Sequence, residues 1–214
     1  MYGRRSLFVV GALLEGVHCV SAQGRGGGDG PPEPTERFAD VPPLTPVTDG
    51  MLQNPDPRDW LSWRRTLDSW AYSPLDEIDR DDVSELALVW SRPMTPGVQE
   101  GTPLVHEGVM FVPNPHDVIQ AIDAVTGDLY WQYRRPLPDD LDKYFVIWTD
   151  TNRNLAIFGN LIIDTSGDDF AFALDARTGQ LAWETRILDI ATSVGGTPTP
   201  CSSSRCRTST GTSA

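Results

Sequence analysis

One motif occurs twice in this chain, and it restricts the possible folds more than any other feature. Residues 121–131 read AIDAVTGDLYW and residues 173–183 read ALDARTGQLAW, so Ala, Asp, Thr, Gly, Leu and Trp recur at matching offsets 52 positions apart. A repeat at a spacing of roughly 40–50 residues marks an array in which each unit is one supersecondary element. The unit reads as a β-hairpin. An apolar run ends at the Asp, Thr-Gly supplies a turn whose glycine accepts positive φ, and a second strand carries the Trp. Repeated Trp hairpins imply β-propeller blades.

The residues around each hairpin extend it to a full blade. TPLVHEGVMFVPN turns at Glu107-Gly108 ahead of the first hairpin, and LAIFGNLIIDTS turns at Gly159-Asn160 ahead of the second. A short strand, a tight turn, a second strand and then the hairpin make a four-stranded antiparallel blade. The fold class is therefore all-β, a partial propeller with two nearly complete blades and the start of a third. With 39% hydrophobic residues and seven Trp, the chain has enough apolar material for such a core.

Upstream, DWLSWRRTLDSWAYSPLDEIDRDDVSELALVW crowds Trp60, Trp63, Trp70, Tyr72 and Trp90 together. Aromatics in such a cluster more often pack than bind, so they are expected against the first blade. Asp79–Leu86 is expected to form one helical turn, followed by a β-run at LALVW.

The first residues read as an address. Arg4 and Arg5, the apolar run Leu7–Leu14 and the small-residue pattern Val20-Ser21-Ala22 predict a signal peptide over 1–22. The run is shorter than the ~20 residues that a membrane span needs. Residues 23–49, opening GRGGGDGPPEP after Gln23, read as a flexible Gly/Pro-rich linker, with folded structure over 50–200 and starting near Met51. In the last 14 residues, CSSSRCRTSTGTSA, eight are Ser or Thr and none is a large apolar residue. A strand is due there, so 201–214 is expected to lie outside the fold, as a frame shift near Pro200 or an early stop would leave it.

A net charge of −13 with no basic stripe argues against a nucleic-acid partner. Cys19, Cys201 and Cys206 show no metal-ligand spacing with a histidine. His18, His106 and His116 are scattered and read as ordinary surface or processing-segment residues.

The leader DWLSWRRTLDSWAYSPLDEI, the strand QEGTPLVHEGVMFV and the two hairpins together resemble the N-terminal part of the pyrroloquinoline-quinone (PQQ)-dependent alcohol dehydrogenases, over about residues 50 to 190. These are exported quinoproteins built on an eight-bladed propeller. The resemblance implies a periplasmic protein that oxidises alcohols to aldehydes with PQQ and Ca²⁺ and passes electrons to an acceptor such as cytochrome c. It implies cofactor contacts at Glu100 of QEGTPLV, at Arg153 of the Asn152-Arg153 pair, and at Thr165, ten residues before Asp175. Chemistry agrees, because a quinone with three carboxylates calls for a guanidinium and hydroxyl donors.

Two departures qualify the resemblance. Methanol-type members carry adjacent cysteines just before the Arg, but this chain reads VIWTDTNR and has no Cys between residues 20 and 200, which places it with the branch lacking that pair. Trp148, in the same stretch, is a candidate for packing on the cofactor. The calcium ligands and the catalytic Asp of the family fall beyond the matching residues, so no catalytic or metal-binding residue is assigned here, and the isolated chain is expected to be inactive. The alternative is a non-enzymatic propeller scaffold that binds protein partners at exposed strand edges.

Overall fold

Each copy of the repeated motif folds as the hairpin its sequence implies, in a computed structural model that describes residues 34–138 and 153–188. β2 (Leu104–His106), β3 (Val109–Asn114), β4 (Val118–Asp123) and β5 (Leu129–Arg134) form the first antiparallel blade. β6 (Ala156–Phe158), β7 (Leu161–Thr165), β8 (Phe170–Asp175) and β9 (Leu181–Arg186) form the second. The repeat holds in detail. Register shifts fall between Ala121 and Ile122 in one blade and between Ala173 and Leu174 in the other, the same place in the motif.

The motif aspartates cap the turns. Asp123 Oδ1 accepts the N–H groups of Val125 and Thr126 at 2.8 and 3.0 Å, and Asp175 Oδ1 accepts those of Arg177 and Thr178 at 3.1 and 2.8 Å. An Asp side chain binding its own backbone two and three residues ahead closes the turn before the strands pair. Glu107 (φ 48°) and Gly108 (φ 83°) supply the paired positive φ of a tight hairpin between β2 and β3.

The motif's Trp and Gly join one blade to the next. Trp131, fully buried on β5, donates its indole N–H to the Ala176 carbonyl at 3.0 Å. Its ring lies so close to Gly179 that a Cβ there would stand 2.5 Å from Trp131 Cδ2. Trp90 meets the first blade in the same way. It donates to the Ala124 carbonyl at 3.2 Å, and a Cβ on Gly127 would stand 2.6 Å from its ring. Trp90 thus occupies, against blade 1, the place that Trp131 occupies against blade 2.

The stretch LALVW does not form the expected strand. Among the described residues it has no ladder partner, and Leu88 and Val89 are 84% and 82% exposed, because β propensity without a neighbouring edge leaves the backbone in water. The helical turn before it shrinks to a single 3₁₀ turn, Val83–Glu85. Most of the leader aromatics also differ from expectation: Trp90 packs, while Trp63, Trp70 and Tyr72 are exposed.

Among the described residues, a strand and a helix already form before or at Met51, inside or overlapping the stretch that reads as linker. β1 (Thr35–Arg37) pairs with β5 as a fifth strand, with Thr35 opposite Tyr133 and Arg37 opposite Trp131. Val41 and Val47 are buried, and α1 (Asp49–Gln53) is capped by Thr48, whose hydroxyl accepts the Met51 N–H. This leader forms a strap across the β2–β3 and β6–β7 turns. Val47 exchanges two backbone hydrogen bonds of 2.8 Å with Gly159, and Trp60 pairs with Val105. Apolar side chains hold it there, with Val41, Val47, Leu52 and Leu61 joining Phe111 and Trp131 in one core. His106, read from sequence as a surface residue, is only 1% exposed beneath the strap.

The expected signal peptide, residues 23–33 of the linker, Trp148, Asn152, the three cysteines and the tail over 201–214 lie outside the described residues.

Candidate functional site

The segments that lead into β2 and β6 meet at the end of the blades opposite the strap. Thr102 and Asn154 form a parallel bridge, and the Thr102 N–H donates to the Arg153 carbonyl at 3.1 Å. This bridge sets the leading strands of the two blades side by side. Gly101 makes the approach of the first segment possible, since a Cβ there would stand 2.5 Å from Pro113 Cγ on β3.

That junction brings together two of the three residues singled out from sequence. Arg153 Nε donates to Glu100 Oε2 at 2.8 Å across 53 residues of chain. The side chains are 47% and 39% exposed, so the ion pair contributes only about 0–1 kcal/mol to stability and chiefly orients the guanidinium. Thr165 is the last residue of β7. The register Ala156↔Ile163, continued by two residues, sets it across from Asn154 at this same end, and its N–H donates to Asp164 Oδ1 at 2.7 Å.

Asn154 is a residue that sequence reasoning missed. Its Oδ1 is buried and has no hydrogen-bond partner, a condition that costs about 1–3 kcal/mol unless water or a ligand supplies a donor. An unmet acceptor, a guanidinium paired through Nε and a strand end that bears a hydroxyl thus lie at one junction: the guanidinium is a group that can hold a carboxylate, whereas the Asn154 oxygen calls for a donor. The signal was present in the sequence as the residue after Arg153, but nothing local marks it as inward-facing.

A second polar cluster lies between the blades, farther from the leading strands. Arg135, immediately after β5, donates to both Asp168 oxygens at 2.9 and 3.0 Å and to Glu184 at 3.0 Å, and stacks over Phe170 and Phe172. Its carboxylate partners hold it firmly protonated. Asp117 accepts the Gly167 N–H at 2.9 Å, and burial pushes its carboxyl up to about 7. Bidentate pairing and stacking on two rings bind the end of blade 1 to blade 2, which reads as a clamp.

Among the described residues no group of three or more His, Cys, Asp or Glu is arranged to hold a metal ion. Nor is any helix among them long and apolar enough to cross a membrane.

Residues 60–184, more than half of the chain, match the family described as the PQQ glucose/ethanol/alcohol dehydrogenase β-propeller domain. The chain belongs to this family. Among quinoprotein dehydrogenases, the dehydrogenase subunit of alcohol dehydrogenase (quinone) from Gluconacetobacter polyoxogenes is 36% identical over 133 residues, which is 62% of this chain and 18% of that protein. The quinohemoprotein alcohol dehydrogenase ADH-IIG of Pseudomonas putida is 34% identical over 147 residues, 68% of this chain and 20% of that one. The solved structure of that P. putida enzyme superposes with a TM-score of 0.59 at 32% identity, covering 66% of this chain and 21% of the other. The quinohemoprotein alcohol dehydrogenase of Comamonas testosteroni gives a TM-score of 0.55 at 31% identity, covering 64% and 22%. The chain thus spans about a fifth of the length of the quinoprotein dehydrogenases it matches.

Proposed function

We propose that this chain is the N-terminal portion of an exported PQQ-dependent alcohol dehydrogenase and that it forms one wall of the quinone site. The observation that carries this reading is the Glu100–Arg153 pair at the junction of two blades, with the unpartnered Oδ1 of Asn154 beside it. Arg153 binds a carboxylate of the cofactor, Glu100 fixes the guanidinium and neutralises its charge, and Thr165 adds a hydroxyl from the end of β7. The quinone would supply the hydride acceptor for alcohol oxidation, and the protein would position it. Calcium ligands and the base that takes the alcohol proton belong to parts of the propeller that this stretch does not cover. The absence of cysteine between residues 20 and 200 supports the branch without the adjacent cysteine pair. Export to the periplasm rests on the leader read over 1–22. A similar protein, the 1-butanol dehydrogenase (cytochrome c) of Thauera butanivorans, is 38% identical over 119 residues and supports a small alcohol and a cytochrome acceptor for the intact enzyme.

Adding PQQ and Ca²⁺ to the purified chain tests this reading. A bound-quinone absorbance and a raised melting temperature are expected, since a ligand of the native state stabilises it by about 2.7 kcal/mol at 100 times Kd. Arg153→Gln and Glu100→Gln are expected to abolish both signals while changing stability by no more than about 1 kcal/mol. Neither signal from the unsubstituted chain would count against quinone binding by this stretch. That result would favour a protein-binding scaffold, the reading that the exposed face of β9 and the bare segment 86–89 support.

A further inference from the structure

His106 has an acceptor facing each of its ring nitrogens. Nδ1 lies 3.0 Å from Asp59 Oδ2, and Nε2 lies 2.8 Å from the Thr45 carbonyl. A neutral imidazole carries one N–H and one lone pair, so it can satisfy only one of these oxygens and must turn a lone pair toward the other. The imidazolium satisfies both. Its charge is met by Asp59 and by Glu107, whose Oε2 stands 3.9 Å from Nε2. The two carboxylates are themselves tied across the same seam. Asp59 Oδ1 accepts the Glu107 N–H at 2.9 Å, and Glu107 Oε2 accepts the Thr45 N–H at 2.8 Å. Thr45 and Asp59 belong to the strap, while His106 and Glu107 belong to the β2–β3 hairpin of blade 1.

We infer that His106 is a proton-dependent latch, carried as the imidazolium and holding the strap at Thr45 and Asp59 against the floor of blade 1. Loss of the proton leaves a buried lone pair against an oxygen and an uncompensated carboxylate, and the seam loosens. Asp59 and Glu107 are the charged groups that face the ring from the strap and from the hairpin. Burial acts against the charged ring, but the hydrogen bonds to Asp59 and the Thr45 carbonyl, with both nearby carboxylates, outweigh it and leave the histidine above its ordinary range. The stabilisation is therefore complete at acidic pH and lost as pH rises through the folded-state value. The latch lies at the opposite end of the blades from Glu100 and Arg153 and does not depend on the quinone reading.

The test is a pH titration of the full chain labelled with ¹⁵N-histidine, with His106→Gln for assignment. Both His106 ring nitrogens are expected to carry protons through the ordinary histidine midpoint of about 6.5 and to lose one only above it. The Thr45 and Glu107 amides, after correction for intrinsic exchange, are expected to exchange at least about tenfold faster above that transition. Asp59→Asn is expected to lower the transition. A His106 midpoint at or below that ordinary value overturns the proposal in the unsubstituted protein, whether or not the variants fold. Amide exchange that follows intrinsic base catalysis alone does the same.

Discussion

Gly179 and Gly108 share a left-handed backbone, with φ of 69° and 83°, and differ in what surrounds them. Gly108 has open space where a Cβ would stand, whereas at Gly179 that atom would lie 2.5 Å from the Trp131 ring. Alanine carries the backbone cost of about 1 kcal/mol or more at both sites, and overpacking of about 1–3 kcal/mol at Gly179 alone. Urea denaturation is therefore expected to show Gly179→Ala less stable than Gly108→Ala by about 1–3 kcal/mol, the difference measuring the contact between the blades. Equal losses would show that the Trp131 ring yields without cost. This contact explains why Thr-Gly and Trp recur together in the motif: each Gly receives a Trp from the preceding unit.

Between elements, the Arg135 clamp joins the end of β5 to the β7–β8 turn, and Asp117 makes it sensitive to pH. Burial raises this carboxyl to about 7 from the ordinary value of about 3.9, so the folded chain keeps its proton longer than the unfolded chain does. Stability is expected to fall as pH climbs from about 4 to about 7 and to level off above. Asp117→Asn keeps an acceptor for the Gly167 N–H and tolerates the local φ of 51°, so it is expected to flatten that slope and to be the more stable protein at pH 8. Melting curves across the range check this. The strands β2 to β9 were legible because alternation, turn residues and a repeated Trp all favour one reading. β1 was not, because Thr35-Glu36-Arg37 has no apolar face and takes its order from β5, almost a hundred residues away. LALVW misled in the opposite direction: its propensity is that of a strand, but pairing depends on a neighbour that propensity does not supply. Glu100 and Arg153 were singled out through family resemblance and prove to pair with each other, whereas the burial of Asn154 and the His106–Asp59 pair depend on long-range contacts that leave no local mark.

At the scale of the whole molecule, the described chain is an array with dissimilar ends. At one end Trp90 already fills the seat on blade 1. At the other, Trp183, which stands opposite Ala173 as Trp131 stands opposite Ala121, is 40% exposed. β1 adds a further asymmetry by covering the outer edge of β5, while β9 has no outer neighbour among the described residues. Deleting residues 34–37 is expected to cost about 1–3 kcal/mol through its lost backbone hydrogen bonds and to raise light scattering on storage, because it bares a second edge. Unchanged scattering would show that β5 is protected by other means. A body with two open edges can add copies at both and grow into a filament, whereas a body with one can only meet a second copy edge to edge and stop. The three residues of β1 thus stand between the outer edge of β5 and edge-to-edge pairing with a second copy.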